Sequence, residues 1–345
     1  DSKDGAWNVD GELMHSAIEG SDGFGMSSTA RYAPRRGDVH YLNLFAYDDD
    51  IDLNDLGFLN RNNYGGFFYE FWRRRQNFES IRDTNGWIDM LGLVNGDGKL
   101  LDSFILAYQG ITFNNNYNVF ANVGYRPPHW DDRNSRGAGT YKLDDRFTMN
   151  VGLNSPQDKR FSVGWNVGVW EEHFSGRQVF GNLFLNYSPF DRLNLRLGIG
   201  YNDRDNWLIW QGGSEFSGFS SEQWNPNRSV QTFFTAHQQL RLQLQWVAIQ
   251  AHEVGRYRVE PNRPLIALGA PDDADRSTFV VSDVVVQVRY RWQIAPMSDL
   301  FVVYNRGGAL RDATVASSFG ELFHDAFSAP EREGFVVKLR YRFGL

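Results

Sequence analysis

The stretch DRLNLRLGIGYND, residues 191–203, alternates apolar and polar positions almost without error. Leu193, Leu195, Leu197, Ile199 and Tyr201 fall on one parity, and Arg192, Asn194, Arg196, Gly198 and Asn202 on the other. A period of two predicts a strand with one apolar and one polar face. The same rhythm returns in KRFSVGWNVGVW (159–170), YNVFANVGYR (117–126), RFTMNVGLN (146–154) and GFVVKLRYRF (334–343). No segment shows the i, i+3, i+4, i+7 stripe of a helix, so an all-β chain is expected. About eighteen such segments can be marked, with 192–202, 206–213, 216–224 and 229–239 counted as four; a weak thirteenth leaves sixteen as the alternative.

The connections are patterned too. Short turns (PRRGD, FNNN, NSPQDK, YSPFDR, APMSD) alternate with longer polar segments near 49–63, 127–144, 253–277 and 307–330. Short turns on one side and long loops on the other are the asymmetry of outer-membrane barrels. An even strand number then puts both termini on the short-turn, periplasmic side. The polar parity is rich in Gly, Asn, Gln, Ser and Arg rather than the Lys, Glu and Thr of a water-facing sheet. Tyr125, Tyr187, Tyr201, Trp246, Tyr290, Trp292, Tyr341 and Phe343 close apolar rows, as interfacial aromatic girdles do. The expectation is one domain over 1–345: an antiparallel up-and-down transmembrane β-barrel in the bacterial outer membrane, touching lipid and lipopolysaccharide. A propeller would need a blade repeat, and none is found.

Composition narrows the reading. Of 345 residues none is Cys, which removes disulfides and thiolate metal sites, and the net charge of −7 argues against a general nucleic-acid binder. No apolar run is long enough for a transmembrane helix. The chain opens with DSKDGAWNVDGEL and shows no secretory signal, so a removed leader is expected.

Several stretches resemble the C-terminal barrel region of the DUF5916 family of outer-membrane proteins: NDLGFLNRNN (54–63), SPFDRLNLRL (188–197), FVVYNRG (301–307) and the terminal FVVKLRYRF. The resemblance implies a barrel that often follows a domain similar to family 9 carbohydrate-binding modules, which this sequence lacks. It assigns no activity to particular residues. The ending departs from barrels that finish on an aromatic residue, since Gly344 and Leu345 follow Phe343.

If the apolar parity faces lipid, Arg160, Arg192, Arg196, Arg289, Arg291, Lys338, Arg340 and Arg342 point inward. They give a positively biased lumen that favours anions; the plainer reading is that they pair with lumen carboxylates. Asp48, Asp50, Asp52 and Asp55, in the outer loop YDDDIDLNDLGF, are a candidate calcium set of hard oxygen ligands. Solvated carboxylates bridged to lipopolysaccharide are the alternative. Loop aromatics (Phe58, Trp130, Phe174, Phe216, Phe219, Trp224, Phe319, Phe323, Phe327) either cap the mouth or stack on sugars, and 253–277 and 307–330 are long enough to fold inward. Ser317, Ser318 and His324 lie close in sequence but lack a nucleophile elbow, so no enzyme is expected. The expected function is passage of small polar or anionic solutes through a loop-constricted, Arg-lined lumen. The alternative is a non-conducting anchor for a carbohydrate-binding domain or a periplasmic or surface protein partner.

Overall fold

The computed structural model describes residues 5–18, 20–53, 61–174, 176–273, 275–312 and 318–343. Its elements in order are β1 (Trp7–Ile18), β2 (Ser21–Arg35), β3 (Asp38–Tyr47), β4 (Tyr64–Gln76), β5 (Ile81–Asn95), β6 (Leu100–Phe113) and β7 (Asn118–Arg126). Then come β8 (His129–Asp131), β9 (Tyr141–Leu143), β10 (Arg146–Asn154), β11 (Phe161–Glu171), β12 (Arg177–Phe190), β13 (Leu193–Gly212) and β14 (Glu215–Thr235). The chain closes with β15 (Gln238–Arg258), β16 (Arg263–Pro264), β17 (Ile266–Gly269), β18 (Thr278–Ala295), β19 (Ser298–Asp312), α1 (Phe319–Ser328) and β20 (Arg332–Arg340).

Sixteen of these strands form one antiparallel meander: β1 to β7, then β10 to β15, then β18, β19 and β20, each paired with the next. Eighteen becomes sixteen because β13 and β14 were each counted twice. They run 20 and 21 residues without a break. A bulge between Arg204 and Trp207, with Asn206 at φ 61°, and Pro226 inside the ladder opposite Ile199 blur the alternation without ending the strands. Among the described residues the ladder of β1 runs with β2 and that of β20 with β19.

Short connections gather at one end, here the turn end. They are tight because small or Asn residues take the left-handed conformation: Asn116 sits at φ 66° with its N–H donating to Phe113 O at 2.9 Å. Gly37 (φ 83°) carries the β2–β3 turn so close to Arg74 O that a Cβ would collide.

The pairing holds both parities in phase across the sheet. Leu153, Trp165, Leu183 and Ile199 form one cross-strand row, and Gly152, Asn166, Asn182, Gly200 and Asn225 the neighbouring row on the other face. The apolar face is the uncovered one: Leu13 is 86 % exposed, Phe335 68 % and Phe161 55 %. No second sheet covers it, as a soluble sandwich would require. Arginines also stand within this face, among them Arg228 opposite Leu197 and Leu244, and Arg306 opposite Val286 and Glu333.

One element covers part of the apolar face, and it is helical. A capping box between Ser318 and Glu321 starts α1, and Phe319, Leu322, Phe323, Ala326 and Phe327 follow at helical spacing. Leu322 and Ala326 are buried over Ala248, Val280 and Leu310, and Ser282 Oγ donates to Leu322 O at 2.9 Å. Gly308 leaves no space for a Cβ beneath Ala326 O, which lets the helix approach the sheet. The described part of segment 307–330 therefore lies on the apolar face rather than folding inward. Trp246, expected in an interfacial girdle, is instead covered by Phe323. Among the described residues no helix is long and apolar enough to cross a membrane.

Candidate functional site on the polar face

Polar-parity side chains of β15, β18, β19 and β20 converge near the turn end. Arg241 is opposite Arg289, which is opposite Val303; Gln239 is opposite Arg291, which is opposite Phe301. Asp299, opposite Arg340 at the start of β19, is buried between two guanidinium groups. Arg291 Nε donates to Asp299 Oδ1 at 2.8 Å, and Arg340 Nη2 donates to Asp299 Oδ2. Arg289 lies over the Phe301 ring at 5.1 Å. These residues border a cavity of about 320 Å³. Four arginines and one carboxylate leave the pocket strongly positive. Asp299 fixes two of the guanidinium groups, which leaves Arg241 and Arg289 as the donors for a bound anion.

Of the eight basic residues expected along the lumen, Arg289, Arg291 and Arg340 meet in this pocket. Lys338 shares the polar face of β20 opposite Phe301 and is exposed. Arg196 lies on the same face of β13, opposite Asn186 and Ser229. Arg160 and Arg192 sit in turns rather than in strands, their carbonyls accepting from Ser188 N at 2.6 Å and Phe233 N at 2.9 Å. Arg342 lies beyond β20, its N–H donating to Ser298 Oγ at 3.0 Å. Arg241 and Asp299 were missed, although Arg241 stands at the polar parity of LRLQLQW and Asp299 in the APMSD turn.

The acidic segment that follows β3 is used locally. Asp48 Oδ2 accepts from Phe24 N at 2.7 Å and its Oδ1 from Ile51 N at 2.9 Å. Asp50 Oδ1 accepts from Ser21 Oγ at 2.8 Å, and Asp52 N donates to Ser16 Oγ at 2.9 Å. These bonds seat Ile51 over Gly23 and Gly25, where a Cβ would collide with it. Asp55 and Phe58 lie outside the described residues. Among the described residues no three His, Asp or Glu side chains group as a metal site would need.

At the loop end, residues 127–144 are held by contacts from distant strands. Arg61 pairs with Asp132, and Lys99 bonds Asn262 while lying 5.5 Å from the Trp130 ring centre. Tyr141 and Leu143 form a buried core with Phe216, Tyr257, Val259 and Leu265, and Phe174 stacks on Tyr257 at 4.3 Å. Phe219 meets Phe279 edge-on. Nearby are half-buried ion pairs: Arg126 pairs with Asp102 at 2.9 Å and Arg204 with Glu172 at 3.2 Å. Burial, with Arg146 nearby, pushes His173 down to about 3, so its ring is neutral. Burial would raise Glu253, but bonds from Arg256, Ser217 and Ser277 outweigh it and hold the carboxyl at about 2. The loop aromatics thus divide into this cover and the α1 group, where Trp224 meets Phe319 and Phe323 stacks on Phe327. Ser318 is spent as the helix cap, accepting from Glu321 N at 3.3 Å.

A different surface lines the polar face of β4 to β7. Trp72 is opposite Trp87, which stacks on Tyr108 at 5.4 Å and 10°, and Tyr108 continues to Phe120 at 6.1 Å. Beside this arc Glu70 stands directly opposite Asp89.

The model of DUF5916, a domain of unknown function, matches residues 1–343. No curated protein and no solved structure matches the chain.

Proposed function

Since the chain belongs to the DUF5916 family, whose description carries no activity, we propose from its own residues that it is an integral outer-membrane β-barrel passing small anionic solutes. The observation that carries the solute class is the Arg241–Arg289–Arg291–Arg340 pocket, which has one buried carboxylate and a cavity of about 320 Å³. Support for the membrane is the uncovered apolar face, phased across sixteen strands, opposite a face of Gly, Asn, Gln and Arg. In this reading β1 and β20 meet in the bilayer. An even strand number makes them antiparallel, and unpaired edges are too costly in hydrocarbon to remain free. A closed barrel of this size leaves an aqueous channel.

The test is planar-bilayer conductance with the reversal potential measured under a salt gradient. Anion preference that weakens or inverts in the Arg241→Glu/Arg289→Glu variant supports the proposal; a cation preference in the wild type rejects it. One observation favours a second reading, a non-conducting anchor. The cover built from residues 127–144 contacts β6, β15 and, through Arg61, the segment before β4. A folded barrel that never conducts would favour it.

A further inference from the structure

We propose that the polar face of β11 to β14 carries a binding groove for a neutral oligosaccharide, separate from the arginine pocket. Five amide side chains, Gln178, Asn182, Asn202, Gln223 and Asn225, border a cavity of about 310 Å³ together with the rings of Trp170 and Phe180. No charged side chain lines it. An amide offers two N–H donors and a carbonyl acceptor, so a row of amides matches a ligand whose hydroxyls each donate and accept. The absence of charge on the walls disfavours anions and cations alike, because nothing would replace their lost hydration.

The rings supply the other half of the recognition. Phe180 lies across from Gly168, and its ring fills the space where a Cβ on Gly168 would stand. The missing side chain lets the phenyl ring lie against the strand as a platform. A sugar ring has an apolar C–H face and a hydroxyl edge, and this groove presents aromatic surface and amides side by side. Gln178 is oriented from both ends, its Nε2 donating to Asn202 Oδ1 at 2.7 Å and its Oε1 accepting from Arg204 Nε at 3.1 Å. Asn182 and Asn225 flank Gly200 across three strands, and its bare backbone opens the floor between them. A second cavity of about 290 Å³ shares Trp170 and Phe180, but Arg126 and Arg146 line it beside Asn122, Thr148 and Asn150, so the uncharged lining ends at the two shared rings.

The proposal needs the polar face to be water-accessible but does not depend on ion passage. Full-length protein folded in detergent micelles is titrated with maltotetraose, cellotetraose and xylotetraose, followed by tryptophan fluorescence and calorimetry. At least one should bind saturably. The Asn182→Ala/Asn225→Ala variant should bind it about tenfold more weakly, the size expected for two lost neutral hydrogen bonds. Gln223→Ala, a single change on β14, is the second test if the double variant does not fold. Folding is checked by the shifted mobility of unheated protein on a denaturing gel. Absence of saturable binding by all three sugars in folded wild type overturns the proposal, and so does undiminished binding in the folded variants.

Discussion

Two walls of the polar face differ in what they carry and in what stands behind them. The β4–β7 wall bears the arc Trp72, Trp87, Tyr108 and Phe120, and its reverse side exposes Phe67, Ile88 and Ile105. The wall of β15, β18 and β19 bears Arg241, Arg289 and Arg291 toward the turn end, and α1 covers its reverse side farther along the strands, over Ala248, Val280 and Leu310. The first wall is held mostly by ring contacts within the sheet. In the second, like charges are brought together, and Asp299 between Arg291 and Arg340 opposes their repulsion.

The largest expected effect comes from removing the α1 cover. Leu322→Ala should cost about 2–5 kcal/mol of stability, read by chemical denaturation in micelles, and should loosen β18 and β19 in hydrogen exchange while leaving β5 and β6 protected. Next, Asp299→Asn should release the guanidinium groups of Arg291 and Arg340, strengthening anion preference in bilayers while lowering the denaturation midpoint. On the aromatic wall, Trp87→Leu should cost about 0.5–1.5 kcal/mol beyond the lost area and leave the sign of ion selectivity unchanged.

The smallest effect concerns the loop-end cover and acid. His173 is neutral when folded because its pKa is lowered from 6.5 to about 3. An unfolded His173 binds a proton below 6.5, so its contribution disfavours the folded state progressively as pH falls from 6.5 toward 3. His173→Leu should flatten this part of the melting-temperature profile across that window.

The difference between the walls also explains what could be read from the chain. In residues 193–202 of β13 and 286–292 of β18 polar and apolar positions alternate cleanly, so the parity of Arg196, Arg289 and Arg291 followed from spacing alone. In β4 and β5 both parities are apolar: Phe67 and Ile88 face one way, Trp72 and Trp87 the other. Binary patterning carries no sign there, and the ring arc was invisible. The long strands were cut in two because Asn206 and Pro226 mark turns in most contexts, whereas here neighbouring ladders override them. The helix was overlooked although SFGE is a capping box, because its ten residues stand alone between strands. Asp299 escaped notice because a turn carboxylate is usually solvated, and only the approach of β18 and β20 buries it.

The central claim is that the apolar parity meets lipid and the polar parity meets water, and the cysteine-free chain allows it to be tested directly. Single cysteines placed in turn at 194 through 201 along β13 would be exposed to a membrane-impermeant maleimide in liposomes. The account predicts labelling at Asn194, Arg196, Gly198 and Gly200 and protection at Leu195, Leu197, Ile199 and Tyr201, with the pattern lost on detergent denaturation. Equal labelling on both parities, or labelling on the apolar one, would contradict it.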